Sequence, residues 1–293
     1  MKKLLAVVLC LALALSLAAC GGAPSAPAST PASAADPASQ PASEPASASS
    51  ATGDLVEAIK AKGKLVVGTE ATYAPFEFLD EKAEFAGCDI WLAQQIADAL
   101  GVKLEVMDMA FDGIIPAVKA GQVDIGIAGF TVTEERAKEI DFSEIYQRDQ
   151  QMLVVKKGNE DVYTTKESMA GQKIGAQRGT VQSILIQNAL PDSELFELDK
   201  YPALALEVTN GNIAGLVVDG AVGEGLIANN KDLVKANFEF DPAEANFGKA
   251  AVLAKGSDSL MEIVNQVVTK AADDGSFQAA YDAAVEKAKS LGI

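Results

Sequence analysis

The sequence predicts an α/β protein made of two open-sheet units. Short apolar runs with strand character alternate with helical periodicities from Asp54 onward. The alternation lapses at the polar stretch Gln147-Arg148-Asp149-Gln150-Gln151 and then starts again. Apolar residues make up 49% of the 293-residue chain, enough for one large core or two smaller ones.

Leu65-Val66-Val67, ended by Gly68, reads as a buried strand. Trp91, Leu92, Ile96 and Leu100 recur at helical spacing and Gly101 is a stop signal, so Ile90 to Leu100 should be a helix. Leu104-Glu105-Val106 alternates as a strand. Asp112 is expected to cap a short helix carrying Ile114, Ile115 and Val118, with Pro116 in its first turn and Gly121 at its end. Val123, Ile125 and Ile127 alternate as the next strand, and Thr133 should cap a charged helix over Glu134 to Glu139.

The second unit follows the polar stretch. Met152 to Val155 and Ile174 to Ala176 read as strands, and Gly179-Thr180 opens a helix reaching Ala189. Leu195 to Leu198 alternates, Pro202 to Asn210 is helical, and Leu216-Val217-Val218 is a strand ended by Asp219-Gly220. Gly248 to Leu253 reads as one more apolar strand. Ser259 and Glu262 have the spacing of a capping box ahead of the apolar face Leu260, Ile263, Val264, Val267 and Val268. Gly275 ends that helix; Phe277, Tyr281 and Val285 mark the last one.

The first 53 residues have a different composition. Lys2 and Lys3 precede an unbroken apolar run from Leu4 to Leu15, and small residues follow up to Cys20. A positive start, a short apolar middle and a small-residue end describe a secretory signal over 1–19. The alternative, a permanent membrane helix, requires a longer span of about 20 apolar residues. Between Gly21 and Gly53 there is no Leu, Ile, Val, Met or aromatic residue, while six prolines occur and Pro-Ala-Ser recurs five times. Prolines at that density break helices and leave nothing to offset the entropy of ordering, so 20–53 is expected to be a disordered linker. A glycosylated stalk is the other reading.

The formal charge is −17, with no histidine. Such acidity disfavours nucleic acid as a partner, and the lack of imidazole removes Ser–His and Cys–His nucleophile pairs and histidine metal ligands. No cofactor or metal is expected. Cys10 leaves with the leader. Cys88, at the head of a helix, is read as a small buried apolar residue rather than a nucleophile.

Several motifs occur in order: Thr69-Glu70-Ala71-Thr72-Tyr73-Ala74-Pro75-Phe76-Glu77-Phe78, Gly87-Cys88-Asp89-Ile90, Phe111-Asp112-Gly113-Ile114-Ile115-Pro116, Ala128-Gly129-Phe130-Thr131-Val132-Thr133-Glu134-Glu135-Arg136 and Ile140-Asp141-Phe142-Ser143. Together they resemble the extracytoplasmic solute-binding proteins of polar amino acid ABC transporters, over essentially Leu55 to Leu291. Leu17-Ala18-Ala19-Cys20 likewise resembles the lipobox of bacterial lipoproteins. The sequence departs from the family pattern at Cys88, where an aromatic residue is usual, and at Ala214, where an Asp is common.

The resemblance implies a periplasmic-binding-protein-like (type II) fold: two α/β lobes joined by two crossing strands, with ligand held between them. The first lobe would comprise 54–145 and 248–293, the second 151–242, with hinges at 146–150 and 243–247. It also implies a lipid on Cys20, export to the outer face of the cytoplasmic membrane, and a monomer delivering an amino acid to a separate permease and ATPase.

Within the implied site, Arg136 would grip the ligand carboxylate with two parallel bonds. Its position on a charged helix alone reads as a surface Arg paired with Glu135 or Glu139. Thr180 would assist from the opposite wall while also capping its helix. Asp219, at a strand end, would take the ammonium, with the Gly129 carbonyl and the Thr131 hydroxyl as further acceptors; a turn-forming Asp before Gly220 is the plainer reading. Tyr73 and Phe111 would flank the ligand side chain, and Ala128 and Gln177 complete the expected set. Glu70 near the ligand's far end favours Arg or Lys, although the position is also acidic in glutamine binders. Two further classes stay open: a cyclohexadienyl dehydratase-like enzyme on the same scaffold, and a sensory ligand-binding domain.

Overall fold

The computed structural model describes residues 54–293. The signal segment 1–19, Cys20 and the linker 20–53 lie outside the described residues. Among the described residues, no helix is long and apolar enough to cross a membrane.

In chain order the first part runs α1 (Leu55–Lys62), β1 (Lys64–Thr69), β2 (Thr72–Tyr73), β3 (Glu77–Leu79), β4 (Phe85–Ala86), α2 (Cys88–Leu100), β5 (Lys103–Asp108), α3 (Phe111–Lys119), β6 (Ile125–Gly126), α4 (Glu134–Ala137) and β7 (Ile140–Phe142). The long β8 (Gln147–Lys156) leads to β9 (Lys173–Gln177), α5 (Val181–Ala189), β10 (Glu194–Leu198), α6 (Tyr201–Asn210), β11 (Gly215–Asp219), α7 (Gly220–Asn229), β12 (Leu233–Lys235) and α8 (Pro242–Ala245). The chain ends with β13 (Asn246–Lys249), β14 (Val252–Ala254), α9 (Asp258–Asp273) and α10 (Ser276–Leu291).

These elements form two lobes, each around its own sheet. The first sheet has the order β5-β1-β6-β14-β7, with β1 parallel to β5 and β6. The second has the order β10-β9-β11-β8-β12, in which β9 is parallel to β10 and β11 while β8 runs antiparallel. The first residues of β8 pair with β13, from Gln147↔Lys249 to Gln150↔Asn246, and its later residues pair with β11 from Gln151↔Asp219 onward. One unbroken strand therefore pairs with β13 at its start and, farther on, lies between β11 and β12 in the second sheet.

Burial explains the element choices. Leu65 and Val67 are fully buried on one face of β1, with Leu92 and Ile96 of α2 in the same core. At 0.8 kcal/mol per buried methylene, on the order of 2 kcal/mol is available from each such side chain. Cys88, the first residue of α2, is fully buried, and burial beside Asp89 pushes its thiol well above the ordinary value.

Four local expectations are corrected. The helix at Phe111 is preceded by Ala110, so Asp112 lies inside its first turn and Pro116 falls beyond it. The strand expected over Val123 to Ile127 is only Ile125–Gly126. The apolar run from Gly248 to Leu253 is split, because Lys249 pairs with β8 while Val252 joins the first sheet beside Gly126 and Phe142. The capping box at Ser259 does not form: α9 starts two residues earlier than that cap would place it, after Ser257, and the Ser259 hydroxyl donates to Asp54 instead. A helical turn occupies Pro242–Ala245, and Asn246–Lys249 is the segment that pairs with the start of β8.

Candidate functional site

Five parallel strands end at one crevice. Glu70 and Tyr73 follow β1, Phe111 follows β5, Ala128 to Thr131 follow β6, Gln177 ends β9 and Asp219 ends β11. The carboxyl ends of parallel strands are where α/β sheets collect functional side chains, since loops there are free of sheet pairing. All ten side chains or backbone positions singled out from the sequence (Glu70, Tyr73, Phe111, Ala128, Gly129, Thr131, Arg136, Gln177, Thr180 and Asp219) line a single cavity. Glu77, Val181 and Gln182, which are not among the expected site residues, line it as well.

Arg136 sits on α4, whose first turn is fixed by Thr133: its hydroxyl oxygen accepts the Arg136 N–H at 3.1 Å. The guanidinium lies 5.5 Å from the centroids of both Phe111 and Phe130, which stack at 4.6 Å. It donates to the Thr131 carbonyl at 3.0 Å and, from the second lobe, to the Gly179 carbonyl at 3.0 Å. It makes no ion pair among the described residues; Glu139, one of its sequence-adjacent acids, pairs with Lys119 at 2.6 Å. Burial pulls the Arg136 pKa down from 12.5 to about 10. A half-buried cation with carbonyl partners alone is suited to an incoming carboxylate.

Gly179 has φ +74, in the left-handed region, and a Cβ there would come 2.9 Å from the Asp112 Cβ across the crevice. Thr180 caps α5, its oxygen accepting the Ser183 N–H at 3.4 Å while its hydroxyl donates to the Gln177 carbonyl at 2.6 Å. That proton is therefore committed within the second lobe.

Glu70 is 2% exposed rather than a solvent-facing loop residue. It accepts from the Thr72 hydroxyl at 2.7 Å and the Gln177 amide at 3.1 Å, and the exposed Lys200 lies 3.5 Å away. Burial raises its pKa against those three partners. Glu77 is fully buried; burial, with Asp89 and Glu70 nearby, holds its carboxyl well above the ordinary range. Asp89 accepts the Gly129 N–H and the Tyr146 hydroxyl, each at 2.8 Å, which fixes Gly129 at φ +57 beside the Tyr73 ring. Tyr73 packs against Phe76 and Tyr201 at 5.7 and 5.4 Å, so it and Phe111 line separate stretches of the cavity rather than stacking together.

Asp219 turns its side chain into the cavity wall and makes no side-chain cap bond to α7. It accepts from the Tyr73 hydroxyl, from the Gln151 amide and from Lys249. Gln151 is in turn held by the Gln182 amide at 2.8 Å. Lys249 was not singled out from the sequence. A lysine between Gly248 and Ala250 carries no local sign of burial, and its partner lies thirty residues away in sequence.

A profile of the bacterial extracellular solute-binding proteins, family 3, matches residues 65–286. The chain belongs to that family. The L-cystine-binding protein TcyJ of Escherichia coli (strain K12) is 29% identical over 231 residues, covering 79% of this chain and 86% of the relative. The arginine-binding extracellular protein ArtP of Bacillus subtilis (strain 168) is 30% identical over 219 residues, covering 74% and 84%. Among solved structures, the amino acid ABC transporter substrate-binding protein AbpA of Streptococcus pneumoniae, bound to L-arginine, superposes with a TM-score of 0.76 at 34% identity, covering 79% of this chain and 98% of that one. All three are amino acid-binding proteins by name, one of them of an ABC transporter; cystine is named for one and arginine for the other two.

Proposed function

We propose that this chain is the extracytoplasmic binding component of an ABC importer, closing its two lobes around a polar amino acid and handing it to a separate permease and ATPase. Arg136 carries the reading: a half-buried guanidinium faces the cavity, is framed by Phe111 and Phe130, and has no acid of its own among the described residues. A ligand carboxylate would complete it. Asp219 meets the ammonium side of the ligand, and Glu70, Tyr73 and Gln177 meet its side chain. The lobes are 54–145 with 248–293, and 151–242, with β8 and β13 as the crossings that rotate. A lipid on Cys20 would hold the body at the outer face of the cytoplasmic membrane.

For the ligand side chain we favour Arg or Lys, on the buried carboxylate of Glu70. Glutamine is the second reading, because Glu70 already receives the Gln177 amide and lies near Lys200. A thermal-shift screen of the twenty amino acids decides: a ligand at 100 times its dissociation constant adds about 2.7 kcal/mol of stability. Stabilisation by none of them overturns the reading. The same reading assigns no catalysis. Prephenate and arogenate incubated with the protein should be recovered unchanged, and release of an aromatic product would count for the dehydratase-like alternative.

A further inference from the structure

We propose that Lys249 is a specificity-determining residue, a resident counter-ion on Asp219 that opens the cleft to carboxylic acids lacking an α-ammonium as well as to amino acids. The inference rests on the reading of the cleft as an amino acid site. Lys249 comes from β13 and is fully buried, and Asp219, at the end of β11, is 2% exposed. Their side chains form an ion pair. The Lys249 ammonium also lies over two rings, 4.7 Å from the Phe76 centroid and 5.7 Å from that of Tyr73. Asp219 is the only acid that pairs with it among the described residues.

A carboxylate offers about four acceptor positions. Lys249 and the Tyr73 hydroxyl share one oxygen of Asp219, and the Gln151 amide holds the other. At most one position is left for a ligand ammonium. Asp219 lines the cavity, whereas Lys249 does not, so the pair is compensated from behind the wall. In a site where a buried acid relies on the ligand alone, deleting the ligand's ammonium strands that acid and weakens binding by roughly a hundredfold or more. Here Asp219 keeps three donors when the ligand brings none. Arg136, by contrast, still requires a carboxylate. The ligand class that satisfies both ends is a carboxylic acid with a polar side chain, in which the α-ammonium is a minor anchor.

The test is a cycle of ligand and protein changes, read by calorimetry on the full chain. L-arginine is paired with guanidinovalerate and L-glutamine with glutaramate, each second compound lacking only the α-ammonium. In the wild type, the better-bound amino acid should exceed its analogue by about tenfold or less. In Lys249→Met, Asp219 becomes dependent on the ligand, and that gap should widen to about a hundredfold or more. A wild-type gap beyond tenfold, or the same gap in both proteins, overturns the inference. Should Lys249→Met fail to fold, the wild-type gap decides alone. If the amino acids bind and the analogues do not, only the role of Lys249 falls. If neither amino acid nor either analogue binds, the reading of the cleft falls with it.

Discussion

The two ends of the cleft hold charge in opposite ways. At one end Arg136 lies beside two stacked rings with only backbone carbonyls to accept its hydrogen bonds. At the other, Asp219 is already held by a lysine, a tyrosine and a glutamine from three different elements. Both groups line the same cavity, yet one is short of a counter-charge and the other is supplied with it. The contrast teaches that a charged wall residue says what a ligand gains only after its own partners are counted. An acid in a cleft is a strong seat for a cation when nothing else neutralises it, and a structural ion pair when something does.

The comparison can be broken at either end, and the largest effect is expected at the first. Arg136→Ala should weaken amino acid binding by roughly a hundredfold or more while leaving the chain folded. Unchanged calorimetric affinity would remove Arg136 from the site. Asp219→Asn should act on the fold instead. It leaves Lys249 buried opposite an amide, and loss of one partner of a buried pair costs about 3–5 kcal/mol. Urea unfolding measures it, and a loss under about 1 kcal/mol would mean that Lys249 has another partner.

Glu70→Gln sharpens the side-chain end. Affinity for arginine or lysine should fall about tenfold and that for glutamine should hardly move. Equal weakening of all three would defeat the cationic assignment. The smallest effect concerns pH. The Glu77 carboxyl keeps its proton in the folded chain above the 4.5 at which the unfolded chain releases it. Its stabilising contribution is therefore complete below that pH and is lost as pH rises through the folded value. Glu70 and Asp89 shift in the same direction. Melting temperature should fall as pH rises above about 4.5, and Glu77→Gln should flatten that fall. An unchanged slope in the variant would show that Glu77 gives up its proton alike in both states.

The sheets were largely readable in the sequence because their strands are continuous apolar runs: Leu65 to Val67, Met152 to Val155 and Leu216 to Val218 all fall inside observed strands. The small sheet β2-β3-β4 was missed, since strands of two or three residues carry no periodicity. Ser259 misled because capping residues are common and Ser257 stands two residues before it. In the site, local rules made Arg136 a surface residue, and only the ordered motifs around it suggested otherwise. Lys249 escaped both routes: its burial depends on where β13 crosses β8, a fact of tertiary geometry that no neighbouring residue records.

Gly179 lies where the two walls of the cleft come close together. Its carbonyl accepts a hydrogen bond from Arg136, and its α-carbon faces Asp112 with no room for a methyl. Touching of the jaws thus depends on an atom that is missing: a single added carbon would act as a wedge, holding the mouth ajar and keeping the guanidinium from reaching the far side.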